Sequence, residues 1–182
     1  MKIHKRIVFS AMLLLLAVSG IAQSGGNDFT FNPGGFGPGE GVNNGVYSTV
    51  VQTDGKILVG GWFSSFNGTS CNRITRLNAD GSIDATFNPG SGPNEEIQTI
   101  SLQLDGKIII GGWFTSFNGT PVNYLARLNS DGSLDPTFNI GAGANSLVVT
   151  SAIQPDGKIL IGGMFSQFDG QNKSYFTRLN TD

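Results

Sequence analysis

The triplet Asp54-Gly55-Lys56 returns as Asp105-Gly106-Lys107 and again as Asp156-Gly157-Lys158, each time after 51 residues. A constant period of this length means that one supersecondary unit is built three times, each copy burying apolar surface against the next. The copied stretch spans residues 54–68, 105–119 and 156–170, and Arg76-Leu77-Asn78 recurs as Arg127-Leu128-Asn129 and Arg178-Leu179-Asn180. A second block, Asp84-Ala85-Thr86-Phe87-Asn88, matches Asp135-Pro136-Thr137-Phe138-Asn139, and its third copy is Asp28-Phe29-Thr30-Phe31-Asn32. The repeats therefore lie near 46–88, 97–139 and 148–182, with 28–32 as an out-of-phase piece.

Each unit reads as four short strands. In the first, residues 46–52 alternate, Asp54-Gly55 supplies a hairpin turn, and residues 56–63 return. Residues 72–78 and 83–88 add two more around Asp80-Gly81. The second strand is apolar on both faces, with Ile57, Val59 and Phe63 on one side and Leu58 and Trp62 on the other, so it must be sandwiched. One face of the first strand carries Val46, Ser48 and Val50, matched by Ile97, Thr99 and Ser101 and by Val148, Thr150 and Ala152. Such small residues suit a crowded centre. Four-stranded sheets stacked about an axis make an all-β propeller.

The run Asp-Gly-Lys-Ile-Leu-Val-Gly-Gly-x-Phe at residue 54, together with Arg-Leu-Asn-x-Asp-Gly-Ser-x-Asp-x-Thr-Phe at residue 76, resembles the delta-60 repeat of bacterial secreted and surface proteins. That resemblance implies propeller blades and export, and it transfers no catalytic residue. Propellers typically close with 4 to 8 blades. Three units then form a partial ring, half of a six-bladed ring made by a homodimer, or part of a longer chain. In the ring, residues 28–32 would complete the sheet that ends at residue 180, in their own chain or a neighbour's. A β-trefoil, also threefold, is the alternative fold.

The basic start Met-Lys-Ile-His-Lys-Arg is followed by an apolar run from Ile7 to Val18, broken only by Ser10 and ending near Ser19, Gly20 and Ala22. This is expected to be a secretory signal peptide, residues 1–22, cleaved after Ala22. The run is too short for a membrane span. Residues 23–182 would form the mature domain, secreted or at the cell surface. The single histidine, His4, falls within the expected signal, and the single cysteine is Cys71. The mature domain then has no Ser-His triad, Cys-His dyad or Cys/His zinc site. Cleavage would also remove 3 of the 11 basic residues and leave 13 acidic ones, a net charge of −5. With no clustered Lys or Arg, nucleic acid is not an expected partner.

Residues present in every copy point first to scaffolding. Arg76, Arg127 and Arg178 are expected to pair with Asp84, Asp135 and Asp28. The oxygen-bearing series Asn78, Asp80, Ser82, Asp84 and its copy Asn129, Asp131, Ser133, Asp135 resembles a calcium loop but lacks the bidentate glutamate, so a turn is the simpler reading. Trp62 and Trp113 are the candidate ligand-binding residues, as stacking platforms for sugar rings. Packing between blades competes with that role, and Met164 in the third copy favours packing. Glu95 and Glu96 read as a solvated loop, Asn67-Gly68-Thr69 and Asn118-Gly119-Thr120 as turns before glycosylation sites, and Cys71 as a small hydrophobe. The glycine-rich connection Gly34–Gly45 lacks a lysine for phosphate.

These readings converge on a secreted, non-enzymatic repeat module without cofactor, for extracellular protein or glycan binding or for structural assembly. The alternative is a carboxylate hydrolase acting on extracellular polysaccharide, whose acids would have to converge from Glu40, Glu95, Glu96 and Asp169.

Overall fold

The computed structural model describes residues 28, 30–32 and 41–181. The expected signal peptide at 1–22, Glu40 and most of the glycine-rich connection lie outside them.

The first unit consists of β1 (Val46–Val51), β2 (Ile57–Gly61), β3 (Ser65–Phe66), β4 (Thr69–Ser70) and β5 (Ile74–Leu77). The second repeats it as β6 (Ile97–Leu102), β7 (Ile108–Gly112), β8 (Ser116–Phe117), β9 (Thr120–Pro121) and β10 (Leu125–Leu128). The third follows as β11 (Val148–Ile153), β12 (Ile159–Gly163), β13 (Gln167–Phe168), β14 (Gln171–Asn172) and β15 (Phe176–Leu179). In each unit the long strands make one antiparallel sheet with the second strand central, and the two short strands form a separate hairpin.

Turn chemistry sets the register. Between β1 and β2, Gln52 N donates to Lys56 O at 2.7 Å, and Gly55, at φ 82°, closes the three-residue turn 53–55 that this bond encloses. Asn67 and Gly68, both at positive φ, make the two-residue turn between β3 and β4 that Asn-Gly favours. A bulge interrupts the first strand of every unit, between Val46 and Ser48, Ile97 and Thr99, and Val148 and Thr150. Such bulges increase strand twist.

The central strands are dry on both faces. Ile108 and Ile110 of β7 pack with Leu58 and Ile74 of the first unit, whereas Ile109 between them packs with Ile159 and Ile161 of the third. All three isoleucines of β7 are fully buried, each contributing roughly 1.5–3 kcal/mol. At the axis the first strands meet: Ser48 Oγ accepts from Ile100 N at 3.0 Å, and Ser101 Oγ donates to Ser151 O at 3.0 Å. The small residues of these strands allow that approach.

Among the described residues no ladder joins one unit's sheet to another's, so the units stack as blades and do not merge into the barrel of a trefoil. The fold is all-β, three repeated antiparallel sheets consistent with a partial propeller.

The expected fourth strand does not form. Residues 83–88 contribute one bridge, Ile83 to Leu77, and residues 134–139 one, Leu134 to Leu128. The cause is the Asp-x-Thr-Phe motif: Asp84 Oδ1 accepts from Thr86 N at 3.0 Å, and Phe87 N donates back to Asp84 O at 3.1 Å. That local turn competes with the ladder and bends the chain towards the next unit.

Candidate functional site

The strongest charged arrangement sits at the junctions between units. Arg76 Nε donates to Asp84 Oδ2 at 2.7 Å, its Nη1 reaches Ser130 O of the second unit at 2.6 Å, and the guanidinium lies 5.0 Å from the Phe87 ring centre. Arg127 copies each contact, to Asp135 Oδ2 at 2.7 Å, to Thr181 O at 2.7 Å and over Phe138 at 4.5 Å. The expected Arg–Asp pairs are present in these two units, and the arginine also pins the neighbouring unit. A second cation was not anticipated. Lys56 Nζ lies 2.9 Å from Asp84 Oδ2 and Lys107 Nζ 2.8 Å from Asp135 Oδ2, which gives the lysine of Asp-Gly-Lys its task.

Burial opposes the charge of Asp84 and Asp135. Bonds from the lysine, from Thr86 or Thr137 and from the arginine outweigh it and hold both carboxyls well below the usual range. Acids held ionised in this way are poorly suited to protonate a leaving group.

The third pair differs. Arg178 is exposed and, among the described residues, donates only to Gln154 Oε1, at 3.5 Å, not to Asp28. Residues 28 and 30–32 lie instead on the first unit, where Asn32 N donates to Asp80 O at 2.7 Å. The expectation that residues 28–32 complete the third sheet within their own chain is thereby corrected. That position is the one residue 88 takes on the second unit, through Asn88 N to Asp131 O, also at 2.7 Å.

At one end of the stack, the loops entering the first strands carry Asn43, Asn94 and Asn145. Asn94 Oδ1 accepts from Thr115 N at 2.9 Å and Ser116 N at 3.0 Å, while its Nδ2 donates to Thr115 Oγ1 at 3.1 Å. Asn43 and Asn145 make the same clamp in their units. The 51-residue spacing was the available signal for this clamp.

The clamps fix the residues beside them. Trp62 N donates to Gly45 O at 2.8 Å and Trp113 N to Glu96 O at 3.0 Å. The indoles are not packed between units: Trp113 is 43% exposed, Met164 64%, and Trp62 is half-buried. The packing explanation for these positions is corrected, because the next residue, Phe63, Phe114 or Phe165, takes the buried slot. Arg73 stands 4.8 Å from the Trp62 ring centre, and Tyr124 meets Trp113 edge-on with centroids 6.3 Å apart. A pocket of about 160 Å³ is lined by Asn43, Asn44, Trp62, Phe63, Ser64 and Arg73. Arg73 Nε is buried there without a hydrogen-bond partner.

The remaining candidates resolve locally. In the calcium-like series Asp80 Oδ1 accepts from Ser82 N and Oγ at 2.9 and 2.7 Å, bonds that lower its pKa, while Asp84 is engaged by Arg76 and Lys56. Among the described residues no three acidic, histidine or cysteine side chains gather as a metal site. Asn118 Oδ1 accepts from Gly92 N at 2.9 Å, so the Asn-Gly hairpin clamps the preceding loop. Glu95 is exposed, Glu96 accepts from Gln98 at 2.8 Å, and Asp169 accepts from Ala142 N at 2.9 Å. Cys71 is half-buried, and burial raises its thiol pKa. No described helix is long and apolar enough to cross a membrane.

Comparison with protein families gives one match, to a model described as a domain of unknown function (DUF5122) beta-propeller, over residues 52–87, 103–138 and 154–182. Neither the curated proteins nor the solved structures yield a match. Each matched segment starts at the hairpin holding Asp-Gly-Lys, and the first two end on the phenylalanine beneath the arginine, so the model captures the junction cluster described above. On this coverage the chain belongs to the DUF5122 beta-propeller family.

Proposed function

We propose that the protein is an exported, non-catalytic binding module that holds extracellular glycan on the row of half-exposed flat side chains at the Trp62 and Trp113 end. The observation that carries this reading is the exposure of Trp113 beside Tyr124, on loops fixed by the asparagine clamps. An indole left open to water offers an apolar face to the C–H face of a sugar ring, and nearby Asn44 and Arg73 supply donors for hydroxyls. Arg73 covers one face of Trp62, so that indole presents its other face or its edge.

The hydrolase alternative has less support. Glu96 and Asp169 are engaged by Gln98 and by Ala142 N, and the two buried acids are ion-paired. Export rests on the basic start and apolar run at 1–22.

The test is isothermal titration calorimetry with soluble cello-, chito- and xylo-oligosaccharides, a readout that survives loss of the two tryptophans. Saturable change is expected with at least one series, and Trp113→Ala should weaken it tenfold or more without altering the fold, since the side chain is exposed. Absence of any saturable change, or affinity indifferent to loss of both tryptophans, would refute the proposal.

A further inference from the structure

Unit 3 carries a groove of about 400 Å³ whose lining includes Phe138, Ile140, Phe168, Thr177, Arg178 and Leu179. In units 1 and 2 the segment after the Asp-Gly turn occupies the corresponding edge: Asp84 N donates to Arg76 O at 2.9 Å and Asp135 N to Arg127 O at 2.8 Å. The face beside the groove is also open. Phe176 is 59% exposed, where Ile74 and Leu125, its counterparts, are fully buried by the following unit. Arg178 and Lys158 are the counterparts of the cations that grip Asp84 and Asp135, yet among the described residues Lys158 reaches only the exposed Asp156.

The matching acid lies at the other end of the molecule. Asp28 Oδ1 accepts from Thr30 N at 2.9 Å and Thr30 Oγ1 at 2.6 Å, reproducing the turn of Asp84 with Thr86 and of Asp135 with Thr137. Its Oδ2 has no cationic partner among the described residues, and Phe31, the counterpart of the phenylalanines beneath the arginines, is 40% exposed. One half-site therefore holds the cations and the groove, and the other holds the preformed acid turn and the aromatic ring.

We propose that residues 28–32 of one copy seat in the unit 3 groove of a second copy, Asp28 pairing with Arg178 and Lys158 and Phe31 lying beneath Arg178. Because Asn32 N is already bonded to Asp80 O of its own unit 1, that unit follows as the next blade in the relation that units 1 and 2 show. Arg178 Nη1 then reaches the carbonyl of Ala79, an exposed residue in the single chain, as Arg76 reaches Ser130 and Arg127 reaches Thr181. Two such head-to-tail contacts give six blades, the one multiple of three within the four-to-eight range of closed propellers.

Light scattering and sedimentation of the purified chain test this. A dimer is expected, with Asp28→Asn and Arg178→Met each raising its dissociation constant roughly 30-fold or more. Asp28→Asn keeps a side-chain oxygen for the Thr30 turn, and both side chains are exposed in the single chain, so neither change threatens the fold. The double variant should cost clearly less than the sum of the two single ones, because they share the Asp28–Arg178 contact. Asp105→Asn, on the β6–β7 hairpin of the middle unit and away from the proposed contact, keeps the oxygen that accepts from Lys107 N and should leave the dimer intact. A monomeric wild type, growth without limit, or a dimer in which the two substitutions have no effect or simply add would overturn the proposal.

Discussion

Asp135→Asn is the most direct test of the junction cluster as a determinant of stability. The substitution keeps shape and leaves an oxygen for Thr137, but it removes the charge facing Arg127 at 2.7 Å and Lys107 at 2.8 Å. Lys107 is 30% exposed in its side chain and can turn to water; Arg127, at 5%, cannot. Stranding one buried charge costs about 3–5 kcal/mol, and the lysine's escape and the surviving bond to Thr181 O place the expected loss near the lower end, about 3 kcal/mol. For a chain of this size that corresponds to a melting temperature lower by roughly 6–12 °C, measured at one fixed protein concentration. Asp156→Asn is the control. Its partner Lys158 is also exposed, and such surface pairs are worth about 0–1 kcal/mol.

The pH dependence has a definite sign. The Asp135 carboxyl is depressed in the folded chain, so its contribution is fully present above the unfolded value of 3.8 and is lost as pH falls towards the folded one. At pH 3 the unfolded carboxyl is mostly protonated while the folded one is not, which removes about 1 kcal/mol of the wild type's advantage over Asp135→Asn. Urea denaturation at pH 7 and pH 3 reads this directly. A melting temperature within about 2 °C of wild type at pH 7, or a gap that widens on acidification, would refute the argument.

Two further substitutions probe the loop end. A Cβ at residue 112 would strike the backbone carbonyl of Glu96, and the same overlap recurs at Gly61 with Gly45 and at Gly163 with Leu147. Gly112→Ala should cost about 1–3 kcal/mol, seen as a lower urea midpoint with an unchanged slope. Asn94→Ala removes the acceptor shared by Thr115 and Ser116, costing about 1–2 kcal/mol and speeding amide exchange at those two residues before the rest of the sheet.

Where local and tertiary demands agree, the residues are legible in advance. Isoleucine on both faces of β7 has no solution but a sandwich, and Arg76 with Asp84 needs each other once both are buried. Asn67-Gly68 names its own turn. Three features were hidden because the competing signals are local. Asp84-Ala85-Thr86-Phe87 has strand-prone Thr and Phe, yet the aspartate's bond to Thr86 N wins over the ladder. Lys56 reads as the first residue of the returning strand 56–63, and only the fold brings it beside Asp84. The bulk of Trp62 and Trp113 suggested core, but each unit has one deep slot there, and the adjacent phenylalanine fills it.

That last point bears on where recognition can reside. Phe63, Phe114 and Phe165 are invariant among the three units and buried, held by contacts that every unit must make. One residue earlier the series reads Trp62, Trp113, Met164, and the side chains opposite read Arg73, Tyr124, Tyr175. Arg73, Tyr124 and Tyr175 share a left-handed backbone, at φ 63°, 64° and 66°, so the scaffold presents three different side chains in one geometry. Packing constrains the first series and leaves the second free to differ. Under the proposed binding role, a ligand laid across this end would meet a cationic, a phenolic and a thioether-flanked step in turn, and would bind in one direction along the row. In a closed pair of chains each step would occur twice, on opposite sides of the ring. Binding stoichiometry per chain would then stay at one whether or not the ring forms, while avidity for a long polymer would depend on the contact between Asp28 and Arg178.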